Sequence, residues 1–164
     1  MNIVKVLKRC EVFVGLDDPA IERIASLPWR MDRYNKDDFI FHEGSAAQNF
    51  YILDEGEIRL VAAMRREGIE EPAAVSVDTV TKGDVFGWSS LVAPHFLVLS
   101  AVCVKPSVVA AVRGTELWRF MDANPVLGYE IMKGLIRVVG RRVRDLHRKL
   151  AGKNLLALRT ESPA

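Results

Sequence analysis

From Trp29 to Gly114 the chain is cut into seven short runs: WRMDRY, FIFHEG, FYILDEGEIRLVAAM, AVSVDTV, GDVFGW, FLVLSAVCV and SVVAAVRG. Each is rich in β-branched and aromatic residues, and glycines or charged turn residues separate them, which is the texture of an antiparallel roll and not of a βαβ sheet. Gly44 in HEGS, Gly56 in DEGE and Gly83 in KGD are each expected to hold a turn at positive φ. Met64 to Pro72, MRREGIEEP, is charged and ends in proline, as suits an exposed hairpin loop.

Helical patterns flank this section. Val4, Leu7, Val12 and Phe13 form an apolar edge at the start, and GLDDPAIERIASL then predicts a second helix with Asp18 as its cap and Pro19 in its first turn. From Thr115 the period is helical again, with Asn124 as cap and Pro125 opening a long last helix. The expected class is α+β, mainly β: an antiparallel β-roll or jelly-roll-like barrel with short N-terminal helices and a long C-terminal helix. Residues 1–123 would hold the first helices and the roll, 124–158 the long helix of the same domain, and 159–164 a disordered tail.

The 164 residues, 49% hydrophobic, suit one domain with a continuous core. No stretch approaches a membrane span, and MNIVKVLKRCEVF has neither a long apolar core nor a small-residue cleavage site, so a cytoplasmic protein is expected. Cys10 and Cys103 are far apart and lack metal-ligand spacing, which predicts buried free thiols. A net charge of +2 makes no global case for nucleic acid.

On the last helix Met132, Leu135, Val139, Val143, Leu146 and Leu150 follow steps of three and four and form one apolar seam. A second copy of the chain would cover it and make a homodimer; packing back onto the roll is the alternative, and the seam can serve both in different turns. Lys133, Arg137, Arg141, Arg144 and Arg148 fall on the opposite arc. Nucleic acid could be bound there, yet a solvated face opposite a seam is the expectation. Gly134 and Gly140 weaken this helix and make tertiary support necessary.

The stretch KGDVFGWSSLVAPHFLVLSAV sets a turn and a glycine between aromatics beside an apolar run with no charge from Val85 to Val102. Its own residues allow either a buried strand after a tight turn or a pocket whose backbone N–H groups face an anion. The order of parts from about Cys10 to Leu150 resembles the cyclic-nucleotide-binding domain family. FIFHEGSAAQNFYILDEGEIRLV is similar to that family's glycine-turn and strand pair, and KGDVFGWSSL to its phosphate-binding cassette.

The resemblance implies a β-roll that holds a cyclic nucleotide and a long helix that covers the base and often dimerises. It puts the ligand-binding residues at Phe86, Gly87, Trp88, Ser89, Ser90, Leu99, Ser100 and Ala101. A short helix after Gly87 would turn the N–H groups of Trp88, Ser89 and Ser90 toward a phosphate. Nucleotide binders of the family carry a glutamate where Trp88 stands, and an arginine that falls at Val98 or Leu99. Without both, a charge-assisted bond of roughly 1.5–3 kcal/mol and a neutral one of ~1 kcal/mol are lost, two or three decades of affinity. His95 is the nearby side chain able to supply a positive charge.

The expected function is therefore a regulatory module, with no cofactor, that takes cyclic AMP, cyclic GMP or a related small ligand weakly or not at all and signals through its last helix to a protein not specified by the sequence. The alternative is a dimeric scaffold or a nucleic-acid binder. Enzyme chemistry is not expected. His42, His95 and His147 are isolated, so no metal site of the cupin kind forms, and GWSS is not a nucleophile elbow.

Overall fold

A computed structural model describes residues 2–64, 68 and 73–160, the side chains of 64 and 154–160 excepted. Two short helices come first, α1 (Ile3–Arg9) and α2 (Asp18–Ala25). Eight strands follow among the described residues: β1 (Arg30–Tyr34), β2 (Phe39–Phe41), β3 (Asn49–Glu55), β4 (Ile58–Met64), β5 (Ala73–Val80), β6 (Val85–Phe86), β7 (Ser100–Cys103) and β8 (Ser107–Arg113). A 3-10 turn, Trp88–Leu91, lies between β6 and β7, and α3 (Gly114–Ala123) and α4 (Pro125–Thr160) close the chain.

Every pairing is antiparallel, in two four-stranded sheets ordered β1-β8-β3-β6 and β2-β7-β4-β5. This is the expected jelly-roll-like, mainly β architecture with a long C-terminal helix, left open as two sheets and not closed into a barrel. Side chains alternate across a strand, so β3 and β8 serve two cores. Phe50, Ile52, Ala110 and Val112 face one, which α1, α2, α3 and the first turns of α4 complete with Leu7, Ile24, Leu117 and Ile131. Tyr51, Leu53, Val109 and Ala111 face the other, between the sheets, with Ile58, Phe86 and Cys103. Covered on both faces, these strands carry no polar alternation and read as unbroken apolar runs.

Local chemistry sets several ends differently from the sequence expectation. Asp17, not Asp18, caps α2 by accepting from the Ala20 N–H at 2.9 Å, and Pro19 follows in the first turn. The Asn124 side chain serves the helix before it, donating to the Phe120 carbonyl at 2.8 Å, so α4 opens on Pro125 without a side-chain cap from Asn124. FLVLSAVCV is a strand only from Ser100; upstream, Phe96 makes an isolated bridge to Ala46. The helix runs through Thr160, so Arg159 and Thr160 are helical, while residues 161–164 of the expected tail lie outside the described residues. The expected hairpin loop from Met64 to Pro72 lies outside them too, apart from Met64 and Gly68. No helix among the described residues is long and apolar enough to cross a membrane.

The seam on α4 divides. Leu135 is buried in the first core and Met132 and Val139 pack against it, while Val143, Leu146 and Leu150 remain exposed. Gly134 has a use the helix period alone does not show: a Cβ there would fall 2.0 Å from the Val12 carbonyl oxygen, so its hydrogen lets α4 lie directly on the N-terminal backbone. Cys10 and Cys103 are free and buried. Burial pushes the Cys10 thiol up to about 12 and raises that of Cys103 as well.

Candidate ligand-binding site

The site grows from the turn between β5 and β6. The Asp84 carboxylate accepts from the N–H and hydroxyl of Thr81, and the Gly83 N–H donates to the Leu53 carbonyl at 2.8 Å, which fixes β6 against β3. Two residues into that strand Phe86 is fully buried and stacks on Tyr51 at 5.0 Å. The chain then needs a left-handed residue close to a neighbour. Gly87 has φ 68, and a Cβ there would lie 2.6 Å from Tyr51 Cδ2 and 2.9 Å from the Asn49 carbonyl oxygen. Its carbonyl accepts from the Ser90 N–H at 3.0 Å and starts the 3-10 turn.

That bond changes the expected amide set. The Ser90 N–H is spent inside the turn, leaving the amides of Trp88 and Ser89 for an acceptor outside it. Ser90 itself points inward: it is buried, its hydroxyl has no partner, and it packs where Gly114 leaves room.

Gly87, Trp88, Ser89 and Leu99 come together on the wall of a cavity of about 240 Å³, which Val139, Val143 and Leu146 of α4 also line. The other expected ligand residues lie elsewhere. Phe86 and Ala101 belong to the core between the sheets, Ser90 faces inward, and the Ser100 hydroxyl accepts from the Glu43 N–H at 2.8 Å. Both candidates for the arginine position, Val98 and Leu99, line the cavity, so aliphatic side chains stand where the resemblance implies a guanidinium.

Two residues that the sequence reading passed over organise the site. Glu11, 13% exposed, accepts from the Val85 N–H at 3.0 Å and pairs with Arg141 and, at 3.4 Å, with Arg142. Arg142, 14% exposed, lines the cavity, donates to the Val85 carbonyl at 2.5 Å and has Asp78 at 3.6 Å from Nε. A sequence signal for Arg142 existed: it stands seven residues after Leu135 and three after Val139, inside the apolar seam and off the basic arc. Glu11 likewise is a single acid within an apolar stretch, CEVFVG.

The histidines stay apart. His42 stacks on Phe39, His95 places Nδ1 3.3 Å from the Ser89 carbonyl on the exposed side, and His147 is exposed on α4. Among the described residues no group of three or more histidines, cysteines or acids is placed to hold a metal ion. The basic arc is largely engaged: Lys133 pairs with Glu130, Arg137 donates to the Glu11 carbonyl, Arg141 pairs with Glu11 and Arg148 with Asp145.

Comparison with known proteins agrees with this geometry. The chain is similar in structure to the Thermus thermophilus catabolite activator protein, at TM-score 0.70 and 21% identity over 90% of this chain and 63% of that one. It is equally similar, at TM-score 0.70 and 20% identity over 90% of this chain and 50% of that one, to the regulatory subunit of a cAMP-independent protein kinase A from Trypanosoma brucei, solved as a mutant bound to cAMP. In sequence it is 22% identical over 107 residues to the Drosophila melanogaster cGMP-dependent protein kinase, isozyme 1, spanning 65% of this chain and only 13% of the kinase. A family model for the cyclic nucleotide-binding domain matches residues 31–124, more than half of the chain, from β1 through the cassette to the end of α3. The chain belongs to the cyclic nucleotide-binding domain family and has its sensor fold.

Proposed function

We propose that this chain is a non-enzymatic regulatory module in which a small ligand in the cavity repositions α4, and that it takes cyclic nucleotides only weakly. One observation carries the reading: the cassette residues Gly87, Trp88 and Ser89 and the α4 residues Val139, Val143 and Leu146 line the same cavity. An occupant touches both, so any difference in its contacts between two positions of α4 shifts their populations. The weak response to cyclic nucleotides rests on Trp88, Val98 and Leu99, which offer neither a carboxylate for a ribose nor a cation for a phosphate. The Trypanosoma brucei neighbour, from a cAMP-independent kinase by name and yet seen with cAMP as a mutant, supports the view that this fold does not by itself commit a chain to a cyclic AMP response. The buried free cysteines fit a reducing compartment, and we place the module in the cytoplasm.

Isothermal titration with cyclic AMP and cyclic GMP tests this. The wild type should give no heat below millimolar ligand, and the Trp88→Glu, Leu99→Arg double variant should gain two to three decades of affinity for cyclic AMP. Micromolar binding by the wild type would contradict the weak-nucleotide reading.

A second reading concerns assembly. Val126, Tyr129, Ile136, Val143 and Leu150 are all exposed and recur at steps of three and seven along α4. Such a stripe suits a second copy of the chain, which would join two cavities through the helices their ligands touch.

A further inference from the structure

We propose that the cavity accepts a small carboxylic acid with an apolar body, whose carboxylate is received by Arg142. The proposal deepens the reading of the cavity as a ligand site and rests on it. The walls are Phe41, Leu60 and Leu97 from the roll and Val139 and Leu146 from α4, with Val98, 69% exposed, beside them. Sugar hydroxyls would be desolvated against these walls, whereas an alkyl or aryl body gains by leaving water. An apolar cavity of about 150 Å³ already holds a benzene-sized guest, so about 240 Å³ takes a chain on the order of eight carbons.

The polar end follows from Arg142. Its Nη1 is buried and has no acceptor, although a guanidinium is built to fill all five N–H sites. Its Nη2 bonds the Val85 carbonyl at 2.5 Å, but its two carboxylate neighbours stand off, Glu11 at 3.4 Å and Asp78 at 3.6 Å, and Glu11 is shared with Arg141. An empty buried donor on a residue that lines the cavity calls for an acceptor. Arg142 meets it by turning into the cavity, exchanging the Val85 carbonyl and these two long contacts for a carboxylate that matches its planar fork.

The surrounding charges select a single negative charge. Arg142 and Lys149 line the cavity with Asp78 and Asp145. Asp145 faces Arg148 at 3.7 Å, while Lys149, which donates to the Val77 carbonyl at 3.1 Å and keeps its charge, and Asp78 offset one another. The Arg142 guanidinium is then the charge left for the guest, and it suits a monocarboxylate.

The test is isothermal titration of the full chain with octanoate, 1-octanol and cyclic AMP. Octanoate should bind saturably and at least tenfold more tightly than octanol, and Arg142→Met should abolish that preference while Arg142→Lys restores part of it. Val143→Trp, which adds bulk to the cavity wall and keeps the Arg142 guanidinium, should weaken octanoate at least tenfold, and circular dichroism checks that each variant is folded. Equal binding of octanol and octanoate, or an unchanged preference in Arg142→Met, would overturn the carboxylate assignment and leave the cavity standing as a ligand site. Cyclic AMP binding where octanoate gives no heat would overturn the ligand class, and at micromolar strength the weak-nucleotide reading too, while the cavity stands as a ligand site. Silence from all three probes would overturn both this inference and the reading it rests on.

Discussion

Replacing Glu11 with alanine removes a side chain that ties the N-terminal segment, the strand leading into the cassette and α4 together. Its carboxylate accepts from the Val85 N–H at 3.0 Å and faces Arg141 and Arg142. Two losses follow. The Val85 N–H sits in a buried strand and is left without its acceptor, at a cost of about 1–3 kcal/mol. Arg142, only 14% exposed, keeps the Val85 carbonyl and Asp78 at 3.6 Å but loses its nearer carboxylate. Breaking a fully buried pair costs about 3–5 kcal/mol, and partial exposure with a second carboxylate in reach brings this term to about 1–2 kcal/mol. Together the change should destabilise the chain by about 3 kcal/mol, a fall in Tm of roughly 6–12 °C at this size. Glu11→Gln keeps an acceptor for Val85 and should recover about half. Urea unfolding followed by tryptophan fluorescence gives the free energies, and hydrogen exchange across residues 137–149 shows whether α4 loosens first. A Glu11→Ala protein within about 0.5 kcal/mol of wild type, or one whose α4 exchanges no faster, would refute the hub.

The Cys10 thiol, raised from 9.0 to about 12 by burial, binds its proton more tightly in the folded state. Its contribution is therefore whole below about pH 9 and lost as pH rises toward 12, by up to about 4 kcal/mol. Cys10→Val should flatten the alkaline fall in urea-measured stability, with a remainder from Tyr34, Tyr51 and Cys103, which are raised by burial too. An unchanged slope would contradict this. Gly134→Ala gains about 1 kcal/mol of helix propensity, but its Cβ falls 2.0 Å from the Val12 carbonyl oxygen. Overpacking of about 1–3 kcal/mol should win, and a rise in Tm would show that α4 does not lie on that backbone. Sedimentation velocity should find a dimer that Ile136→Glu dissociates; a wild-type monomer at high concentration would dismiss the stripe as an interface.

The turn glycines, the alternation across the strands and the order of the parts made the roll legible in the sequence, because each is a local constraint the backbone must obey. Gly44, Gly56 and Gly83 all have positive φ for that reason. Half of the expected ligand set does not reach the cavity, because depth and not strand parity separates its members: Leu99 and Ala101 share a face and pack in the same core, but the cavity opens at Leu99 while Ala101 is fully buried between the sheets. The spending of the Ser90 N–H within the turn could not be read from FGWSS, since it depends on the turn closing as 3-10 from the Gly87 carbonyl. Arg142 was legible in principle, as a cation inside an apolar seam, but reading basic residues as one arc hid it. The helix period also could not say that Gly134 meets the backbone of Val12, a contact between positions far apart in the chain.

The most direct measurement of the central claim is hydrogen exchange across residues 137–149 with the cavity filled, using octanoate and, separately, cyclic AMP at concentrations that calorimetry shows to be saturating. The account predicts that a ligand which binds changes protection in this part of α4, and that Val143→Trp removes both binding and change. Binding heat with unchanged exchange in α4 would contradict it.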